Sequence, residues 1–257
     1  MRTSLMRRLM REARVKGGVI LFRGSGAAAR RYVEADRSRA DEYYLGADDA
    51  VDEYAVLDAN GEVTATRSLT AEEYEGWVDW TDLITGESMG TPRKPGEGSK
   101  GSPLFAEMTI NAPKSLSVAA ALHPEVSEAL DAAQQDALAE IRRWFGQHSV
   151  TRVGPRDARE VLPIERMQVV GIRHKTSRAG DPHRHIHMQI GTRVWAAGKW
   201  RALDTAALFK QQGAIRALGT AVIAAHPHLA QTGLLRVWLI PDLWGLGPCW
   251  KDVTMPA

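Results

Sequence analysis

The stretch RHKTSRAGDPHRHIHMQI, residues 173–190, holds four of the eight histidines in a chain of 257 residues. Three of them alternate, at His183, His185 and His187. Successive side chains of a β-strand point to opposite faces, so these imidazoles would share one face and the intervening apolar side chains the other. The segment therefore predicts an amphipathic strand whose polar face places imidazoles close enough to share a divalent ion.

A fourth histidine, His174, ends the preceding β-like run, residues 166–174. If the residues KTSRAGDP form a hairpin connection to the run at 183–195, His174 comes to lie beside the alternating row. Three neutral imidazoles with open positions left over describe a catalytic metal centre rather than a closed structural one. The alternative is a strand whose polar face simply happens to be rich in histidine.

The composition is that of a soluble globular protein, with 44% hydrophobic and 25% charged residues. A net charge of +2 does not by itself indicate nucleic-acid binding, which must be argued from local features. A single cysteine, Cys249, excludes an intramolecular disulfide framework and fits a reducing compartment. No apolar run approaches the ~20 residues that span a bilayer. We therefore expect a cytoplasmic protein without membrane insertion.

The order of predicted helices and strands is mixed, which favours an α+β fold with an antiparallel sheet over a doubly wound one. A short buried strand is predicted within 17–26, and further strands at the start of 105–122, at 166–174 and at 183–195. Helices are expected after Ser25, from the cap Thr70 within 69–83, over 124–146 with Gly146 as its stop, and after the cap Asp204. Residues 84–103 are rich in Gly and Pro and predict a long mobile loop.

Four of the five tyrosines lie in a polar setting in the N-terminal part of the chain: Tyr32, Tyr43, Tyr44 and Tyr54. A tyrosine hydroxyl can attack phosphorus once a metal ion polarises the phosphate; packing in a core or interface is the alternative role. The segment TINAPKSLS places Lys114 at a strand-to-helix junction, where backbone N–H groups and a lysine suit a phosphate.

Taken together, RRYVEAD with DEYYLGA, MTINAPKSLSV, and RHKTSRAGDPHRHIHMQI followed by WRALD resemble the relaxase domain of MobF-class (TrwC/TraI-like) conjugative relaxases. These are HUH endonucleases, named for a His-hydrophobic-His motif that stands here as His185-Ile186-His187. The similarity runs from about residue 17 to about residue 230. It implies a central antiparallel β-sheet flanked by helices.

The resemblance also implies a reaction on single-stranded DNA at a plasmid transfer origin, with accessory relaxosome and coupling proteins as further partners. A tyrosine attacks the scissile phosphate, leaving a 5′-phosphotyrosyl adduct and a free 3′-OH that later religates. Mg²⁺ or Mn²⁺ is the expected ion, and the histidines would also accept Zn²⁺ or Ni²⁺. The residues implied are His174, His185 and His187 for the metal; Tyr32 as primary nucleophile with Tyr43 and Tyr44 as the second pair; Glu107 as the acceptor of the tyrosyl proton; and Arg178 at a phosphate. Lys114, from the strand-to-helix junction, remains a further phosphate candidate.

The chain departs from the family pattern in three places. Val33 stands where a second tyrosine of the primary pair is usual, and Glu107 where an aspartate is usual. Residues 231–257 do not resemble the family's continuation, which predicts an atypical, truncated tail after a relaxase domain at 17–230, with residues 1–16 as a disordered basic leader. Two alternatives remain: a truncated, catalytically impaired DNA-binding remnant, and an unrelated histidine–metal enzyme that acts on a small molecule.

Overall fold

The computed structural model describes residues 18–36, 49–155, 157–177 and 180–232. Its strands are β1 (Ile20–Phe22), β2 (Asp49–Asp58), β3 (Val63–Thr70), β4 (Phe105–Asn111), β5 (Val150–Val153), β6 (Glu160–Pro163), β7 (Arg166–Thr176), β8 (Pro182–Ala196) and β9 (Lys199–Ala202). Its helices are α1 (Gly26–Asp36), α2 (Ala71–Val78), α3 (Lys114–Leu122), α4 (Pro124–His148), α5 (Thr205–Ala225) and α6 (Pro227–Gln231).

Seven strands form one antiparallel sheet in the order β1-β4-β8-β7-β2-β3, with β9 pairing along the end of β8. β5 and β6 form a separate two-stranded sheet. The two longest sheet strands, β7 and β8, are hairpin partners at its centre, as their sequence patterns predict. The predicted α+β class with a central antiparallel sheet and flanking helices is confirmed.

Alternation along the strands gives the sheet two different apolar faces. The large core lies on the face covered by α3, α4 and α5, and includes Leu57, Met108, Leu130, Ile186, Met188 and Ile215. The aromatic core lies on the face covered by α1 and α2, and includes Tyr54, Tyr74, Trp77, Trp80 and Phe105. In β2, for example, Ala55 and Leu57 belong to the large core, whereas Tyr54 and Val56 belong to the aromatic core. The sheet is therefore buried on both faces.

Local capping signals place several helix ends. Thr70 caps α2 through a reciprocal pair of hydrogen bonds with Glu73, and the Asp204 carboxylate accepts from two backbone N–H groups at the start of α5. The prediction that Gly146 ends α4 is wrong, since the helix continues to His148. A Cβ at Gly146 would lie 2.2 Å from the backbone of Gly61, so this glycine permits a close approach of α4 to the β2–β3 turn.

Other predictions fail for tertiary reasons. β1 was expected to be buried, but it is an edge strand paired with β4, and Ile20 is 54% exposed. Tyr54, expected in a polar setting, is fully buried in the aromatic core. Residues 84–103 form no helix or extended strand, as expected of a loop, and Arg93 and Ser102 close part of it by reciprocal hydrogen bonds.

Among the helices of the described ranges, none has the length and apolar character needed to cross a bilayer. The predicted leader, residues 1–16, and nearly all of the predicted tail, residues 231–257, lie outside the described residues. The proposed domain limits therefore stay predictions.

Candidate active site

The histidines meet where β7 and β8 pair. His174 lies directly opposite His185, and His187 follows two residues later on the same face of β8. The ring centroid of His174 lies 5.2 Å from the ring centroids of His185 and of His187, and the centroids of His185 and His187 are 4.9 Å apart. All three are buried, with at most 9% of each residue exposed. The hairpin and the strand alternation thus bring together the three imidazoles that the sequence singles out.

The opposite face of β8 holds this strand in place. Arg184 is buried, and its Nη2 donates to Ser127 Oγ of α4 at 2.7 Å, while its backbone N donates to Ser117 Oγ of α3 at 2.9 Å. Gln134 of α4 donates to the Arg184 carbonyl at 3.1 Å. These bonds fasten the beginning of β8 to the helical layer. The histidine backbone is therefore anchored from the side away from the site.

Hydrogen bonds assign the tautomers of two histidines. His185 Nδ1 lies 2.8 Å from the His183 carbonyl oxygen, and His187 Nδ1 lies 3.0 Å from Glu107 Oε1. Because a carbonyl and a carboxylate only accept, each Nδ1 donates a proton, and in the neutral form of each ring Nε2 then keeps its lone pair. The two Nε2 atoms face each other at 3.1 Å. At this distance the two nitrogens either share a proton in a hydrogen bond or hold a metal ion between them.

The donor set fits a metal ion. Two nitrogens bound to one ion at about 2.1 Å, with an angle of about 90–110° between them, lie roughly 3.0–3.4 Å apart, which matches the distance between the two Nε2 atoms. Burial, more than the neighbouring histidines, lowers the pKa of His185 to about 4, so its ring is neutral at pH 7 and able to ligate. Within the described part of the chain, no three His, Cys, Asp or Glu side chains already converge as a complete ligand set.

Glu107 connects the histidines to a tyrosine. It lies on β4, directly opposite Gln189 of β8, and is 3% exposed. Its Oε1 accepts from His187 and from the Tyr32 hydroxyl, at 3.0 and 3.2 Å, and its Oε2 accepts from Gln189 Nε2 at 3.0 Å. Burial opposes ionisation of Glu107, but the hydrogen bond from His187 and the positive charge of that ring when it is protonated, together with the hydrogen bonds from Gln189 and Tyr32, outweigh burial and lower the pKa of Glu107. The carboxylate is therefore charged at neutral pH.

Tyr32 reaches this centre from α1. The helix is placed by its N-terminus, where the Gly26 N–H donates to Asp79 at 2.9 Å, and by the burial of Ala29 and Val33 in the aromatic core. The Tyr32 ring meets His187 edge-on, with 6.3 Å between ring centroids, and the side chain is half-buried. Tyr32 is therefore a partly exposed side chain next to the buried histidine cluster.

Two residues of the site have no strong sequence signal. Gln189 and Tyr74 are both fully buried, and the Tyr74 hydroxyl donates to Gln189 Oε1 at 2.7 Å. Burial raises the pKa of Tyr74 far above its ordinary value, so the hydroxyl stays protonated. The strand alternation puts Gln189 on the histidine face, which is the one hint of its position. Tyr74 is an aromatic residue on a helix, and its sequence context does not distinguish it from an ordinary core residue.

The remaining sequence candidates are not all brought together. Lys114 lies at the start of α3, where its Nζ forms an exposed ion pair with Asp181 at 2.9 Å. Burial and the nearby Lys114 charge lower the pKa of His183, whose ring lies 4.7 Å from that of His185. Lys114 therefore borders the cluster. Tyr43, Tyr44 and Arg178 lie outside the described residues.

A family model described as TrwC relaxase matches residues 26–234 of the chain. The chain belongs to the TrwC relaxase family. No curated protein sequence matches it significantly. The histidine cluster and Tyr32 are therefore compared with the active sites of relaxases of this family.

Solved structures of TrwC share the fold of this chain. TrwC complexed with a 27-mer DNA comprising the recognition hairpin and the cleavage site is 20% identical, with a TM-score of 0.60; the match covers 84% of this chain and 69% of that one. The metal-bound complex of conjugative relaxase TrwC with oriT DNA is 20% identical, with a TM-score of 0.65, covering 84% and 70%. The copper-bound complex with oriT DNA is 19% identical, with the same TM-score and coverage.

Proposed function

We propose that this chain is a conjugative relaxase that cuts single-stranded DNA at a plasmid transfer origin through a 5′-phosphotyrosyl intermediate on Tyr32. The observation that carries the proposal is the 3.2 Å hydrogen bond from the Tyr32 hydroxyl to Glu107, beside three clustered histidines, in a chain of the TrwC relaxase family. Complexes of TrwC with oriT DNA support DNA as the substrate. The reaction belongs to the cytoplasm, with accessory relaxosome and coupling proteins as further partners.

We assign the steps of cleavage and religation to Tyr32 and Glu107. The Tyr32 oxygen attacks the scissile phosphorus and forms the new O–P bond, while the bond to the 3′ oxygen breaks. The leaving 3′ oxygen takes a proton from solvent and becomes the 3′-OH. The Tyr32 proton passes to Glu107 Oε1, which is ionised and within hydrogen-bond reach. In the reverse reaction the 3′-OH releases its proton to solvent and attacks the phosphorus. The Tyr32 O–P bond then breaks, Glu107 returns its proton to the Tyr32 oxygen, and the strand is religated.

His174, His185 and His187 would hold a divalent metal, since the His174 ring centroid lies 5.2 Å from each of the other two. Metal-bound and copper-bound TrwC support such a site. We propose Mg²⁺ or Mn²⁺ in the cell, and the imidazole set would also accept Zn²⁺ or Ni²⁺. When bound, the ion supplies charge neutralisation at the scissile phosphate. Glu107 has a second task here, because its bond to His187 Nδ1 keeps the lone pair of Nε2 directed at the ion.

Phosphate groups on either side of the scissile bond need cations beyond the metal. Lys114, which borders the cluster, and Arg178 are proposed for this role. Tyr43 and Tyr44 are proposed for a second transfer step, in which a further tyrosine takes over the DNA end. Binding through Lys and Arg releases counterions, so DNA affinity should fall steeply with salt concentration.

A denaturing gel tests the proposal. Wild-type protein is incubated with Mn²⁺ and labelled single strands from the DNA flanking its own gene, beside Tyr32→Phe and Tyr54→Phe. Tyr54→Phe is a matched control, because the buried Tyr54 hydroxyl has no hydrogen-bond partner among the described residues. A slow-migrating, protease-sensitive adduct with wild type and Tyr54→Phe, but not with Tyr32→Phe, is expected. DNA binding without any adduct would instead identify an impaired, DNA-binding remnant.

A further inference from the structure

A continuous chain of buried hydrogen bonds lies behind Glu107, on the side away from Tyr32. Tyr74 Oη donates to Gln189 Oε1 at 2.7 Å, and Gln189 Nε2 donates to Glu107 Oε2 at 3.0 Å. Tyr74 and Gln189 are fully buried and Glu107 is 3% exposed. No solvent therefore competes for these bonds.

The chemistry of the three groups allows one direction of donation. An ionised carboxylate only accepts, so the amide nitrogen of Gln189, and not its oxygen, must face Glu107. The amide oxygen then faces Tyr74, which satisfies it by donating its hydroxyl proton. Bonds of this kind in a dry interior strengthen one another, so the far end of the chain influences the carboxylate.

Tyr74 is itself fixed in place. Its ring stacks on Trp77 with 6.0 Å between centroids, and Trp77 stacks on Phe105 of β4 at 6.2 Å. Phe105 lies two residues before Glu107, on the same face of the strand. Helix α2, which carries Tyr74, begins with the Thr70–Glu73 capping box. The donor at the end of the chain is thus rigid relative to the strand that carries the carboxylate.

Glu107 needs such a restraint because its two oxygens have different partners. Oε1 accepts from both Tyr32 and His187, and Oε2 accepts from Gln189. The terminal torsion of a glutamate is soft, so the carboxylate would otherwise rotate away from these directions. Resting on the proposed function, we propose that Gln189 and Tyr74 are positioning residues that hold Glu107 Oε1 against Tyr32 and His187.

We call the hydrogen-bonded series Tyr74–Gln189–Glu107 the relay. Single-turnover cleavage by wild type, Tyr74→Phe, Gln189→Met and the double variant tests it. Gln189→Met keeps the length of the side chain but removes both bonds, and should slow cleavage about 10- to 100-fold, the range that misplacement by up to about an ångström produces. Tyr74→Phe removes one bond and should cost about fivefold. In the Gln189→Met background, Tyr74→Phe should change the rate less than about twofold, because the acceptor of its proton is already gone.

Two measurements separate positioning from a general loss of structure. DNA affinity should be unchanged in all variants, since neither residue is placed against DNA. Gln168→Met is the matched control, because Gln168 is also a buried glutamine of the sheet but donates to Asp82 at 2.7 Å, away from Glu107. Its cleavage rate per folded molecule should equal that of wild type. Unchanged rates in the Tyr74 and Gln189 variants, fully multiplicative losses, or an equal loss in Gln168→Met would overturn the relay.

The relay has a second readout that does not need cleavage. Glu107 orients His187, so displacing the carboxylate should weaken Mn²⁺ binding, measured by calorimetry, about 10-fold in Gln189→Met. If wild type binds Mn²⁺ but cuts no DNA, the proposed function fails, but Mn²⁺ binding still tests the relay. A weaker Mn²⁺ affinity of Gln189→Met would support the relay, and an unchanged affinity would overturn it. If wild type neither binds Mn²⁺ nor cuts DNA, Glu107 has nothing to orient and the relay is wrong.

Discussion

The two faces of β8 differ sharply although their residues alternate along one strand. His185, His187 and Gln189 point to the side of Tyr32 and α2, whereas Ile186, Met188 and Ile190 are buried in the large core. The polar face makes specific bonds to single atoms, and the apolar face makes many non-directional contacts. One strand therefore carries the chemistry on one side while its other side stabilises the fold, so activity and stability can be damaged separately.

Neighbouring substitutions on β8 give the largest effects and the sharpest test of this separation. His185→Ala should reduce adduct formation about a thousandfold, since a metal ion contributes several kcal/mol at a phosphate. Its effect on the free energy of unfolding should be small. Ile186→Ala, one residue away, should lower the free energy of unfolding by about 2–5 kcal/mol because it empties a site in the large core.

Urea unfolding followed by circular dichroism measures the stability of both variants, and the denaturing gel measures their adducts at a temperature where both are folded. Ile186→Ala should retain most of its activity per folded molecule. If it lost as much activity as His185→Ala, the two faces would not be separable.

The second prediction concerns α4, which covers the large core. Gly146→Ala should lower the free energy of unfolding by about 3 kcal/mol, because the new Cβ would lie 2.2 Å from the Gly61 backbone. Helix propensity alone predicts the opposite sign, a gain of about 1 kcal/mol. Gly213→Ala is the control, since a Cβ there, on the exposed side of α5, meets nothing within 4 Å. It should be stabilising by about 0.5–1 kcal/mol, and a stabilising Gly146→Ala would contradict the close approach.

The smallest expected effect concerns α2, on the other side of the sheet. The pKa of Glu73 is lowered by the Thr70 backbone N–H and then by Arg67. A lowered pKa in the folded state means that this carboxylate stabilises the protein above its unfolded pKa, and that the contribution is lost as the pH falls through the folded pKa. Glu73→Ala should therefore lower stability at pH 7 by about 0.5–1 kcal/mol.

Thermal unfolding at pH 7 and at about pH 3 checks this sign, since ordinary carboxylates are mostly protonated at the lower value. The difference between wild type and Glu73→Ala should shrink on acidification. A difference that grew towards low pH would show that the capping box is not the source.

Local sequence patterns could predict the centre of the site. Alternation places His185 and His187 on one face, and a hairpin places His174 beside them, which is what the β7–β8 register shows. The caps Thr70 and Asp204 were predictable for the same reason, because each rests on residues within a few positions. Tyr32 and Glu107, by contrast, came from the family resemblance and not from periodicity.

Contacts between distant segments could not be predicted. Glu107 and Gln189 are opposite each other only because β4 pairs with β8, and Tyr74 reaches them only because α2 packs on that face. β2 was missed because irregularities in its pairing with β3 break the alternation that identifies a strand, and β3 because it is an edge strand with mostly exposed side chains. Gly146 was mistaken for a helix stop because glycine occurs both at helix ends and where two backbones approach closely, and the sequence alone does not distinguish the two cases.

The most direct test of the central claim is to locate the DNA on the protein by mass spectrometry. The adduct is digested with nuclease and trypsin, which separates residues 32–37, with Tyr32, from residues 40–67, with Tyr43, Tyr44 and Tyr54. We predict that the nucleotide mass lies on the peptide of residues 32–37. A nucleotide found only on residues 40–67 would contradict the assignment of Tyr32, beside Glu107 and the histidines, as the nucleophile.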